Sequence, residues 1–383
     1  MKKFNSISLI AVVCVYFFLA ATVVPAMGAM SNDALEQKVA EIEQKIQTST
    51  IAGAASAWLD IISISGVLEL DFSYRDPSDL NDADSDSSSE FDIGTAELAL
   101  EVKFHEWVTG NVTLKGETLD ENDRVFWDEA AITVQKEGFP LYFVGGKRTQ
   151  PFGVFNSRFI NDPLTQDCYE IVKTGATIGL TRAVGGLDVS ATIYKGEVLA
   201  DKVSEAACGW TRDPDPNPDP TDDVNSYIVN LSLAPLEGLS LSAYFDSEPG
   251  QQGRNNTMGG SITYQAGMVA FDAEYITAVA RELHMTDGRE YKESAWFASV
   301  ACQVMDPLEI ALRYEAFDDD MEGDQDGHLE NRYSLGANYT LFEKGDFAAT
   351  LMLEYRRSTY EKADGSAAQD GADEIFARLA FEF

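Results

Sequence analysis

From about Trp58 to the C-terminal Phe383 the chain keeps a period of two, and this rhythm constrains the fold more than any other feature. Ile62, Ile64, Gly66, Leu68, Leu70, Phe72 and Tyr74 alternate with Ser63, Ser65, Glu69, Asp71 and Ser73. Leu98, Leu100, Val102 and Phe104 alternate with Glu97, Glu101 and Lys103, and Leu308, Ile310, Leu312 and Tyr314 with Glu309, Arg313 and Glu315. Phe347, Leu351, Leu353 and Tyr355 alternate with Thr350, Glu354 and Arg356. Successive side chains of a strand point to opposite faces, so each run has one apolar and one polar face.

The connectors take turns in length. Short turns fall near Glu106, Gly138, Gly185-Gly186, Pro235 to Gly238, Ala266-Gly267, Asp306-Pro307 and Lys344-Gly345. Longer polar loops fall near 76–90, 119–124, 149–172, 197–224, 248–255, 279–292, 319–330 and 359–372. Seven turns and eight loops join about sixteen antiparallel strands, and short turns on one side with long loops on the other suit an outer-membrane barrel. A soluble β-sandwich also alternates, but regular hairpins suit an up-and-down meander better. The last strand carries Ile375, Ala377, Leu379, Phe381 and Phe383 on one face, and its terminal aromatic resembles the assembly signal of outer-membrane proteins. The fold class expected is therefore all-β: a transmembrane antiparallel up-and-down barrel over 56–383.

Two segments come before it. Lys2 and Lys3, an apolar run from Ile7 to Val24, and small residues through Gly28 give residues 1–28 the order of a secretory signal peptide. Within 29–55, Leu35, Val39, Ile42 and Ile46 recur at helical spacing and predict a short helix. It reads either as a small coiled coil that helps build a homo-oligomer, such as a trimer, or as one amphipathic helix against the barrel mouth.

The net charge is −36. Such a chain does not suit nucleic acid, whose phosphates call for clustered Lys and Arg. The polar faces would line a water-filled lumen, as sixteen strands leave an aqueous channel. Glu69, Glu97, Glu101, Glu309, Glu315 and Glu354 stand there against Arg313 and Arg356, and acidic rings favour cations. Acidic loops such as Asp213 to Asp223 read as solvated, with divalent ions at the lipopolysaccharide as the alternative. Cys168 and Cys208 fall in neighbouring outer loops and are candidates for a disulfide, whereas Cys302 sits on an apolar face. The three histidines stand in no catalytic or metal-ligating motif, so neither an enzyme nor a bound cofactor is expected.

One stretch departs from the rhythm: GGKRTQPFGVFNSRFINDPLTQDCYE, Gly145 to Glu170. It turns at Pro151-Phe152-Gly153 and again at Asp162-Pro163-Leu164-Thr165. Phe152, Phe155, Phe159 and Leu164 could fold into the barrel and narrow it, or pack as a cover over the rim. Gly146-Lys147, Pro151-Phe152-Gly153, Phe155 and the run Asp162 to Thr165 resemble a segment of the LbtU-like siderophore porins. That resemblance implies passive uptake of a ferric siderophore across the outer membrane, with no plug domain and with lipid and lipopolysaccharide as surroundings. Lys147, Arg148 and Arg158 would then form a basic track beside Asp162 in an otherwise acidic lumen. A general diffusion pore with mild cation preference and a structural barrel remain the alternatives.

Overall fold

The computed structural model describes residues 61–77, 87–119, 124–182, 186–205, 223–250, 253–283, 288–318, 329–360 and 371–383. The signal-peptide and helix expectations for residues 1–55 lie outside them.

Sixteen strands form one closed barrel. They are β1 (Ile62–Pro77), β2 (Ser88–His105), β3 (Val108–Glu117), β4 (Val125–Gln135), β5 (Leu141–Thr149), β6 (Val172–Arg182), β7 (Leu187–Tyr194) and β8 (Ser226–Leu236). There follow β9 (Leu239–Pro249), β10 (Arg254–Ala266), β11 (Val269–Ala280), β12 (Ser294–Met305), β13 (Leu308–Asp318), β14 (Leu329–Lys344), β15 (Phe347–Tyr360) and β16 (Gly371–Glu382). Every neighbour is antiparallel, and β1 closes the ring by pairing Val67 with Glu382 and Leu70 with Leu379. Closure gives each strand two partners, so no edge is left with unpaired backbone groups, as a lipid environment requires. All seven expected turns and eight expected loops fall where the connectors lie. The terminal Phe383 completes the seam: it exchanges backbone hydrogen bonds with Gly66 at 3.0 and 3.1 Å.

The alternation fixes which face is which. Ile64, Leu312 and Leu335 are 55, 54 and 47% exposed on the outer wall, a degree of apolar exposure that suits lipid. Aromatic rings gather at both outer borders. Tyr314 meets Trp296 and Tyr333 at a tilt near the loop end, with ring centres 5.1 and 4.7 Å apart. Phe347 and Phe383 stack at 6.3 Å near the turn end. Two such belts mark the headgroup levels of a membrane.

The inner face is uneven. Along β11 to β14 a patch of small residues, Ala270, Ala301, Ala311, Ser334 and Gly336, faces inward. Small side chains there leave room for something to lie on the wall.

The segment inside the barrel

The chain between β5 and β6 fills that room. From Pro151 to Ile171 it crosses the inner wall from β8 to β15. Asn230 donates to the Pro151 carbonyl at 3.1 Å, and Asn338, on the far side, donates to the Arg158 carbonyl at 2.9 Å. The first bend depends on Gly153, whose φ is +88° and whose missing Cβ leaves space for the Phe155 ring. Phe152 is fully buried and meets the Tyr244 ring edge-on, 5.0 Å between centres. Phe159 packs on Ala270, Ala301 and Ala311. Any Cβ at residue 336 would come within 3.0 Å of the Phe159 ring, so Gly336 is part of its seat. The second bend is a short helix, α1 (Leu164–Tyr169), where a turn was expected. Pro163 stands just ahead of it with φ −68°, a value already suited to starting a helix.

Carboxylates of alternate strands hold the segment down. Glu274 of β11 accepts from the Val154 and Phe155 amides at 2.7 and 3.4 Å, from Thr165 Oγ1 at 2.7 Å, and from the Tyr244 hydroxyl. Asp272 accepts from Asn156 at 2.9 Å. On β13, Glu309 pairs with Arg158 at 2.8 Å and Glu315 accepts from the Leu164 amide at 2.6 Å. On β15, Glu354 accepts from the backbone and side-chain amides of Asn161, both at 3.0 Å. Arg313 lies among them with no exposed side-chain surface. It pairs with Glu315 at 3.0 Å and Glu354 at 3.9 Å, and covers the Phe159 ring at 4.5 Å. It also donates to Ser157 Oγ, to the Asn161 carbonyl and to the Asp162 carbonyl, at 3.1 to 3.2 Å. Each hydrogen bond to a charged group is worth roughly 1.5–3 kcal/mol.

The expected lumen charges therefore split into two groups. Glu309, Arg313, Glu315 and Glu354 face inward but serve the segment. From β15 on round the ring to β3, Arg378 is braced between Glu69 at 3.1 Å and Asp71 at 2.7 Å, Arg356 pairs with Glu374 at 2.7 Å, and Lys115 with Glu117 at 2.6 Å. Glu97 faces Lys115 across the β2–β3 pair, and Glu101 lies 4.0 Å from Lys103.

The basic track is not brought together as the sequence suggested. β5 runs on through Thr149, so Lys147 and Arg148 point to opposite faces. Lys147 shares the outer face with Ala130 and reaches the Trp127 carbonyl, while Arg148 turns inward to Thr177 Oγ1 at 3.3 Å. Arg158 is engaged by Glu309 and, at 3.6 Å, by Asp272.

Asp162, on the inserted segment, is open to lumen water, yet the wall around it raises its carboxyl above the ordinary range. Desolvation is the main cause and Glu170 adds to it, against Lys115, Arg313 and Arg378. Asp167 of α1 is pushed up to about 6, chiefly by desolvation and against Arg332. Its side chain keeps 41% of its surface, so the desolvation comes from enclosing wall and not from direct cover.

A second helix, α2 (Val198–Glu205), lies on the first. Lys202 reaches the Gln166 carbonyl at 3.0 Å and Glu170 at 3.7 Å, and the Leu199 amide donates to Glu248 at 2.9 Å. Leu199, Val203 and Cys168 share one buried cluster. Cys208, the suggested partner of Cys168, lies outside the described residues, as do most of the acidic loops. Among the described residues, no group of three or more His, Cys, Asp or Glu side chains is placed to hold a metal ion.

A closed sixteen-strand barrel with an apolar outer band and a loop folded across a polar lumen defines an outer-membrane channel. Residues 48–363 match the family of Gram-negative porins, and the chain belongs to that family. It is 29% identical over 196 residues to a UPF0422 protein of Coxiella burnetii, a stretch covering 48% of this chain and 41% of that one. It thus spans less than half the length of that relative. Among solved structures it is similar to an anion-selective porin from Comamonas acidovorans, at 11% identity and TM-score 0.59, over 84% of this chain and 99% of that one. It is similar also to OmpT of Vibrio cholerae in its trimer form, at 11% identity and TM-score 0.54, over 84% and 99%. At such identities the likeness is one of fold. Family and fold point to a channel in the outer membrane and not to an enzyme.

Proposed function

We propose that this porin is a selective passive channel whose constriction is the segment Pro151 to Thr165, and that a ferric siderophore is the solute it admits. The observation that carries the reading is the anchoring of this segment to Asn230, Glu274, Glu309, Arg313, Glu315 and Glu354. A loop fixed at so many points narrows the lumen permanently, and a fixed narrowing can discriminate by size and charge. The siderophore part rests on the sequence resemblance of Gly146-Lys147, Pro151-Phe152-Gly153 and Asp162 to Thr165. A general diffusion pore with mild cation preference is favoured by a different observation: Lys147 is on the outer face and Arg158 is neutralised, which removes two of the three bases of the basic track.

Assembly as a homotrimer is part of the same reading, supported by the trimer form of the Vibrio protein. Purified, refolded barrel in a planar bilayer separates the two readings. Selective uptake predicts discrete current steps that added ferric siderophore blocks saturably at micromolar levels. Steps of the same size without block would leave the general pore.

A further inference from the structure

Among the described residues most bases of the lumen form an ion pair with a carboxylate, whereas Arg148 and Lys173 form none. Arg148 and Lys173 are register partners on β5 and β6, both on the inner face. Directly opposed side chains of an antiparallel pair stand about 5 Å apart at Cβ, and like charges so placed destabilise the sheet. Neither makes an ion pair among the described residues; the guanidinium reaches only the Thr177 hydroxyl. Glu129, opposite Arg148 on β4, interacts with its charge but lies beyond ion-pair distance, so one longer-range carboxylate faces two cations.

The backbone beneath the pair is held firmly. Gln150, 2% exposed, donates through its amide nitrogen to both backbone carbonyls, that of Arg148 at 3.2 Å and that of Lys173 at 2.5 Å. Beneath them Thr177 and Thr192 are locked hydroxyl to hydroxyl at 2.8 Å. The pair lies at the root of the inserted segment, where Gln150 leads into Pro151. Two register-matched cations on a pinned backbone, faced by one more distant carboxylate, keep a net positive charge that can receive an anion from solution.

We infer that Arg148 and Lys173 form a subsite for a carboxylate-bearing organic anion, which rests there as it passes the segment. The inference rests on the channel reading above and adds the charge class of the solute. A carboxylate suits the geometry: its two oxygens can take the guanidinium fork and the ammonium together, and the surrounding acids would turn away anions that lack such a foothold.

Citrate and its uncharged trimethyl ester are the probes, added to single channels of the full barrel in 0.1 M KCl, where screening is moderate. Citrate is expected to block saturably and the ester not to block. In the Arg148→Ala/Lys173→Ala double variant the half-blocking concentration should rise about tenfold, and Arg148→Lys should keep most of the block. A heat-modifiable gel shift checks that each variant is folded. Equal block of native and double variant, or no citrate block of a conducting native channel, would overturn the subsite. A folded native barrel that passes no current would instead remove the channel reading itself.

Discussion

Replacing Glu274 by alanine is expected to loosen the inserted segment while leaving the barrel intact. The native carboxylate takes four donors, three of them on the segment. Its loss leaves the Val154 and Phe155 amides, the Thr165 hydroxyl and the Tyr244 hydroxyl without their acceptor on a wall where little water replaces it. At roughly 1.5–3 kcal/mol for each charged hydrogen bond, less what water recovers, the segment should lose about 3–5 kcal/mol of local stability. The strand itself keeps both ladders, to β10 and β12. The expected outcome is therefore specific: an unchanged folded band on a gel, rapid proteolytic cutting between Val154 and Asn161, and a noisy open-channel current. Glu274→Gln, which keeps one acceptor oxygen, should show about half the effect. A quiet current and a protected segment in the alanine variant would mean that the remaining anchors and the packing of Phe152 and Phe159 hold it without Glu274.

The other large effect is expected at Arg313. It is the cation between Glu315 and Glu354, and all three side chains are fully buried. Arg313→Ala leaves two buried carboxylates without their charge partner, a change that costs about 3–5 kcal/mol in comparable sites. It also strips three donors from Ser157, Asn161 and Asp162 and uncovers the Phe159 ring. Here the barrel wall should suffer too, since both carboxylates belong to strands. The midpoint of urea unfolding in detergent should fall clearly. Arg313→Lys keeps the charge but not the planar fork, so it should recover stability better than it recovers a quiet current. Equal midpoints for the alanine variant and the native protein would contradict the role assigned to this residue.

The two-residue rhythm made the barrel legible because a bilayer punishes every exception to it. An acid turned outward at Glu309 or Glu354 would sit in lipid, so the inner position of these residues could be read from their neighbours Leu308, Ile310, Leu353 and Tyr355. What they do inside could not. Alternation tells which face a carboxylate takes, but not that β11, β13 and β15 lie under a loop sent from β5, because that follows from closure of the ring. One signal was available: inward positions occupied by Ala270, Ala301, Ala311 and Gly336 do not suit a surface meant only for water. Lys147 and Arg148 teach the opposite lesson. Their adjacency suggested a common track, yet adjacent residues of a strand diverge, and β5 extends further than the motif at Gly145-Gly146 implied. Lys173 carries no motif, and only its register with Arg148 gives it meaning.

If the inserted segment narrows the lumen, shortening it should widen the path. A variant in which Val154 to Asn161 is replaced by two glycines removes the contacts to Asp272, Glu309 and Glu354 and keeps the sixteen strands. Single-channel conductance of that variant beside the native barrel, at the same salt, should be severalfold larger, with the siderophore block gone. Equal conductance of the two would contradict the account, because the narrowest part of the path would then lie elsewhere.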